Sequence, residues 1–266
     1  MGCVMEMLLW VGIVLDSGLC SVLLPEINDR TFIDECVRKH NMARTSVDPP
    51  ASDMLYMTWD EGLAITARAW ARHCTFKHNI YLKDVRRVHP TFSSVGENIW
   101  TGYPPSSFNV SRAIRGWVNE TQYYDYEKNS CTNVCGHYTQ VVWASSYKVG
   151  CAVQLCSKGV THFTDREGAI FVCNYATAGN INRRRPYQSQ GVACSGCKGT
   201  CENSLCSDEK RDSQQKYNWA PDWDPALTTS GSDYATVLIT RPIALIFTFT
   251  AAYIVRYFYP NIFCYE

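Results

Sequence analysis

The sequence predicts an α+β sandwich bound together by disulfides, and three observations predict it. Apolar residues recur at helical spacing early in the chain, they alternate as in strands later, and fourteen cysteines punctuate the 266 residues. Helices first and strands late is the pattern of a sheet that carries its helices on its faces. A secreted domain oxidises such a cysteine set, whereas a cytosolic enzyme would carry it only with metal. The length accommodates one sizeable domain with appendages. Lys plus Arg number 25, as do Asp plus Glu, so no net positive charge supplies the counterion release that draws proteins to nucleic acid. The run Arg183, Arg184, Arg185 is short and reads as a solvated loop.

Residues 1–21 read as a secretory leader: Val4 to Leu15 is mostly apolar and is followed by the small residues Ser17, Gly18 and Ser21. Glu6 interrupts that stretch, and no Lys or Arg precedes it. The main domain spans residues 25–187. Thr31 with Asp34 supplies a start signal for a first helix, on which Phe32, Cys36, Val37 and His40 share a face. Leu63, Ala67, Trp70, Ala71 and Cys74 mark a second helix, and Ala113, Ile114, Trp117 and Val118 a third. Val149, Cys151 and Val153 alternate as a strand does, as do Ile170, Val172 and Asn174 against Phe171, Cys173 and Tyr175. Trp59, Trp70, Trp117 and Trp143 read as core residues.

Beyond the main domain, residues 194–206 form a short module holding Cys194, Cys197, Cys201 and Cys206. Residues 207–233 are polar and rich in Pro, Asp and Ser, as a stalk or linker is. Residues 234–255 give the ~20 residues of a transmembrane helix, the alternative being a cleaved lipid-anchor signal at the small residues Ser230, Gly231 and Ser232. Arg241 lies near the start of that segment, from which it can snorkel to the headgroups. Tyr253, Tyr257, Phe258 and Tyr259 resemble an interfacial belt, and 256–266 is a short tail. The sequons Asn109-Val110-Ser111 and Asn119-Glu120-Thr121 mark two glycosylation sites.

Four segments carry a resemblance. They are His40-Asn41-Met42-Ala43-Arg44, Gly96-Glu97-Asn98-Ile99-Trp100, Gly136-His137-Tyr138-Thr139-Gln140-Val141-Val142-Trp143, and Cys173-Asn174-Tyr175-Ala176-Thr177-Ala178-Gly179-Asn180. Together and in this order they resemble the signatures of the CAP superfamily (cysteine-rich secretory proteins, antigen 5, pathogenesis-related 1). Thr177 departs from the family, which usually has Pro there. The succession of leader, domain, short cysteine module and apolar tail is most similar to the glioma pathogenesis-related protein 1 group. The resemblance implies an α-β-α sandwich with a central, mostly antiparallel sheet. It also implies the pairings Cys74–Cys156, Cys151–Cys173, Cys194–Cys201 and Cys197–Cys206. Cys36, Cys131 and Cys135 are left over; Cys131 can pair with Cys135 across a tight loop, or Cys36 with either. If the tail spans a membrane, Cys264 faces the cytosol.

By the same resemblance, an open cleft holds His78, Glu97, Glu120 and His137. Two imidazoles with two carboxylates can hold Zn²⁺ or another divalent metal, act as acid and base pairs, or form a hydrogen-bonded network that ties helices to sheet. No HExxH helix is present, nor a Gly-x-Ser-x-Gly elbow, and nothing marks Thr139 as an activated nucleophile. His40, Asn41 and Arg44 read as structural hydrogen-bonders and His73 as a surface residue, while His89 and His162 lie in loop-like contexts. Three functions remain open. The first is an extracellular or cell-surface binding and signalling module, with a metal-responsive cleft, lipid or sterol as a ligand class and an unnamed protein partner. The second is a hydrolase acting through the same cleft, and the third a structural adhesion module. The first is preferred, because the family's members are mostly not established enzymes.

Overall fold

In the computed structural model, which describes residues 23–84, 86–229 and 232–259, the first helix, α1 (Arg30–Thr45), starts immediately after Asp29. The Asp29 carboxylate accepts hydrogen bonds from Thr31 N (2.8 Å) and Phe32 N (3.3 Å). The start signal is therefore Asp29 rather than Thr31 with Asp34, because a capping carboxylate must precede the amides it satisfies. The expected leader (1–21), residues 260–266 of the tail and Cys264 lie outside the described residues.

β1 (Thr58–Trp59) leads into α2 (Glu61–Ala71), which Asp60 caps by accepting from Leu63 N at 2.9 Å. That helix stops before Cys74, which turns out of it with φ of +48°. After β2 (Gly96–Gly102), Asn109 caps α3 (Val110–Val118) by accepting from Arg112 N at 3.0 Å. Glu120 lies in the 3-10 turn Asn119–Tyr123 that follows it. A small hairpin, β3 (Tyr124–Asp125) and β4 (Ser130–Cys131), precedes the short helix α4 (Gly136–Val141). Two long strands, β5 (Lys148–Cys156) and β6 (Gly168–Ala176), complete the sheet.

The sheet order is β1-β5-β6-β2, with β1 parallel to β5 and the other pairs antiparallel. It is a mostly antiparallel sheet between helices, an α+β fold. Alternation along β6 divides the core: Ala169, Phe171, Cys173 and Tyr175 join Phe32, Ile114 and Trp117 of α1 and α3, whereas Ile170 and Val172 meet Ala67, Trp70 and Ala71 of α2. Gly150 lets α2 approach the sheet, since a Cβ there would run into the backbone at Ala64 N and Asp60 O. The peptide between Ala176 and Thr177 is cis.

Five disulfides stitch the domain. Cys74 meets Cys156 and Cys151 meets Cys173, with Cα–Cα distances of 5.8 and 4.1 Å. Cys131 meets Cys135 across its loop. In the small module, where β7 (Thr200–Glu202) pairs with β8 (Leu205–Ser207), Cys194 meets Cys201 and Cys197 meets Cys206. Among the described residues Cys36 remains a free, buried thiol.

The segment expected to be a loose stalk is held to the domain as far as Asp224. It begins with the four-residue helix α5 (Glu209–Asp212). Beyond that, Ser213 O accepts from Lys148 Nζ (2.7 Å), and the Tyr217 hydroxyl donates to Asp60 Oδ2 (2.9 Å). Asp222 pairs with Arg87 (3.2 Å) and Asp224 with Arg72 (2.6 Å). Trp223 stacks on Tyr81 at 5.0 Å and donates from Nε1 to Arg87 O at 2.8 Å. Asp60 also holds the buried His89, whose Nε2 lies 3.0 Å from Asp60 Oδ1. Polar composition signals a linker only when the chain offers its aromatics no partner, and here Tyr217 and Trp223 find partners.

Leu24–Pro225 form one compact unit. In the other, α6 (Pro225–Thr229) is followed by α7 (Ser232–Phe258), a continuous helix with Pro242 inside it. Its residues Ile239–Phe258 are long and apolar enough to cross a membrane. That stretch is offset from the expected 234–255, because the helix runs on through Val255 to include Tyr257 and Phe258, with Arg256 among them.

Candidate functional site

Glu97, the second residue of β2, is paired in register with Asn174 of β6. Its side chain is fully buried, which a carboxylate tolerates only when donors replace water. One donor is Asn79 N, at 2.9 Å from Oε1; Asn174 Nδ2 lies 3.5 Å from Oε2. His78 Nδ1 also lies 2.9 Å from Oε1. The loop that presents His78 is fixed by the Cys74–Cys156 bridge and by the Trp70 indole, which donates to Lys77 O at 2.9 Å. The imidazole itself is 65% exposed. The hydrogen bond to Glu97 raises its pKa above the ordinary value, against the opposing pull of desolvation.

The second pair repeats the arrangement with different elements. Glu120 Oε1 lies 2.6 Å from His137 Nδ1, while Oε2 accepts from His137 N (3.0 Å) and Tyr138 N (3.3 Å) at the start of α4. The His137 ring lies parallel to Trp117, which is itself stacked on Phe171 of the sheet. The helix–sheet core thereby sets the plane of that imidazole.

A buried relay joins the site to α1. Asn98, neighbour of Glu97 on the strand, donates to His137 O (3.0 Å) and to the Tyr175 hydroxyl (3.2 Å). The Tyr175 oxygen is 2.9 Å from His40 Nε2, and His40 Nδ1 is 2.7 Å from Cys36 O. A carbonyl can only accept, so Nδ1 carries the proton and Tyr175 donates to Nε2. Burial lowers the His40 pKa to about 4, so the ring is neutral.

The structure therefore sets His78 with Glu97 and His137 with Glu120, each imidazole held through Nδ1. In both pairs Nε2 makes no hydrogen bond to another described residue. Carboxylate-held imidazoles with a free Nε2 are the form in which histidine ligates metals, the carboxylate acting as the orienting group. Among the described residues, three ligand atoms come mutually within 4.8 Å only at Cys194, Cys197 and Cys206, all of which are in disulfides. Each pair therefore presents one imidazole nitrogen without a protein partner, beside a glutamate that fixes its orientation. Thr139 Oγ1, close to His137 in sequence, lies 2.7 Å from Asn180 Oδ1 and bonds back to the turn before it. Sequence reasoning missed Asn79, Asn98, Asn174 and Tyr175 as supports of the site. The last three lie in the segments that carried the resemblance, but nothing local marks them as neighbours.

Comparison with known proteins identifies the family. The family model described as "CAP: Cysteine-rich secretory protein family" matches residues 37–175. "GLIPR1-like protein 1" of Bos taurus is 48% identical over 223 residues, covering 83% of this chain and 88% of that protein. "Glioma pathogenesis-related protein 1" of Mus musculus is 42% identical over 264 residues, 97% of each chain. Among solved structures, "Crystal structure of NaASP2 with Zn2+" aligns with a TM-score of 0.53 and 25% identity, covering 71% of this chain and 100% of that one. The matched segment runs from α1 to β6 and contains both His–Glu pairs, and the chain belongs to the CAP, or cysteine-rich secretory protein, family.

Proposed function

We propose that this chain is a cell-surface binding module, anchored by its apolar C-terminal helix, whose two carboxylate-held imidazoles take a divalent cation. The observation that carries the proposal is the shared geometry of the pairs, in which a glutamate holds Nδ1 of His78 or His137 and leaves Nε2 free. Zinc suits imidazole nitrogen, and a related fold is named with Zn²⁺. His78 and His137 would hold the ion, with Glu97 and Glu120 fixing their tautomers. Bound there, the ion would supply a Lewis-acidic anchor for an oxygen-bearing ligand. Binding is preferred to hydrolysis because the hydroxyl beside His137 is committed to Asn180 and the turn.

Calorimetry with ZnCl₂ on the full chain in detergent micelles tests this, beside the His78→Ala/His137→Ala variant. Wild type is expected to bind about one equivalent and the variant none. The raised His78 pKa adds a pH signature: a proton competes for that ring, so affinity falls as pH drops through a value above the ordinary ~6.5. No binding by wild type, or equal binding by the variant, would overturn the proposal.

A specific observation also favours a lipid ligand. Between α1 and α3 a groove of about 230 Å³ has Met42, Ala43, Ile114 and Val118 along it, with Lys39 and Arg115 beside them. An apolar trough with cationic neighbours has the chemistry of a fatty-acid site. A fluorescent fatty acid should bind the full chain in a membrane nanodisc above the level of empty discs, and Val118→Glu should remove that excess. An unchanged excess would exclude the groove.

A further inference from the structure

A second cavity, of about 520 Å³, lies within the main unit and is not lined by either His–Glu pair. It is bounded by the start of β5, by the loop before β2 and by the segment from α5 to Tyr217. Lys148 lines it although the residue is only 5% exposed. An ammonium has three donors, and two of these are used, on Thr58 Oγ1 (2.8 Å) and Ser213 O (2.7 Å). Among the described residues no carboxylate lies within ion-pair distance of its Nζ. Desolvation lowers the lysine's pKa, and the more distant carboxylates of Asp60 and Asp212, neither of them paired with Nζ, offset it only in part.

The charges around the cavity are bonded to other groups. Arg211 lies over the Tyr147 ring at 5.7 Å, and Lys148 Nζ is 6.0 Å from the same ring, so two cations neighbour one aromatic ring. Asp212 already holds Arg211 at 2.6 and 2.7 Å, and Cys206 O accepts from it at 2.8 Å. Lys210 adds a third cation to the lining, whereas Asp208, the one lining carboxylate, accepts from Arg211 N. The remaining walls are largely aromatic, with Phe92, Tyr147 and Tyr217 among them. A cation at least nine-tenths buried with a donor to spare, and flat apolar walls around it, call for a ligand with an anionic head and a planar body.

We propose that this cavity binds a small aromatic carboxylate, its carboxylate on Lys148 and its ring among Phe92, Tyr147 and Tyr217. The volume lies within the range of small-molecule sites, roughly 300–1,000 Å³.

The test is calorimetry on the full chain in detergent micelles, with empty micelles subtracted, using 2-naphthoate and its uncharged analogue 2-naphthamide. Saturable binding of naphthoate is expected, with the amide weaker by about tenfold or more for want of the charge-assisted hydrogen bond. Lys148→Met should cut naphthoate affinity by a similar factor and leave the amide unchanged. Gln215→Trp, at an exposed wall position, should weaken both by filling the cavity. Absence of saturable naphthoate binding overturns the proposal, as does equal affinity for the two probes or unaltered binding by Gln215→Trp. Should Lys148→Met fail to fold, the ratio of the two probes and the Gln215→Trp variant decide.

Discussion

Arg44 carries a guanidinium almost wholly out of solvent, and main-chain carbonyls take the place of water. Its nitrogens donate to Leu55, Val141, Trp143 and Ala144 at 2.6–3.1 Å, which binds α1 to the loop before β1 and to the end of α4. Desolvation lowers its pKa to about 9, so the group still enters the core charged at neutral pH. One helical turn earlier, His40 enters the core neutral. Its folded pKa of about 4 lies below the unfolded value of ~6.5, so between those limits the unfolded chain binds the proton that the folded chain refuses. Stability should be fully present above pH ~6.5 and should fall by about 3 kcal/mol as pH drops toward 4. Denaturant titrations of wild type and His40→Gln at pH 7 and pH 5 check this: the variant should lose the part of the fall that sets in above the carboxylate range, and an identical fall in both would refute it. Cys36, beside His40 on the helix, is an inert thiol because burial, and then the nearby Glu35 charge, raise its pKa well above the ordinary value.

At the scale of elements, local chemistry sets where each helix begins, and packing sets where it ends. Asp29, Asp60 and Asn109 each satisfy amides one turn on, which is a purely local event. α2 ends at Ala71, although the apolar spacing runs on to Cys74, because the bridge to Cys156 draws Cys74 out of the helix. The 3-10 turn after Val118 swings the Glu120 carboxylate onto the amides of His137 and Tyr138. Alternation along β5 and β6 was legible because each face of the sheet meets a different helix layer. What alternation cannot convey is register. The pairing of Glu97 with Asn174, which brings a second amide to the buried carboxylate, comes from an alignment of strands far apart in sequence.

At the scale of the molecule, the chain from the cysteine module to Asp224 is a strap and not a free tether. Tyr217, Asp222, Trp223 and Asp224 fasten it to α2 and to the loop after α2. Trp223 is half-buried on Tyr81 and Trp70, and truncating such a side chain costs about 2 kcal/mol. Thermal or denaturant unfolding of the full chain with Trp223→Ala should show that loss, and wild-type stability would show that the strap is not held. The sequence by itself determined the α+β class, the strand faces, the oxidised state and the family, because these are written in near neighbours or in short segments kept in order. The family resemblance also named His78, Glu97, Glu120 and His137, of which Glu97 and His137 lie in those segments. Only the tertiary structure decided that they form two separate pairs joined through Nδ1, that Asn98, Tyr175 and His40 carry the site back to α1, and that Lys148 lies buried in a cavity beside the strap. These depend on contacts between residues up to 135 positions apart, as for His40 and Tyr175. Local pattern cannot specify such contacts, because it is the packing of helices on a sheet in one register that brings them within hydrogen-bonding distance.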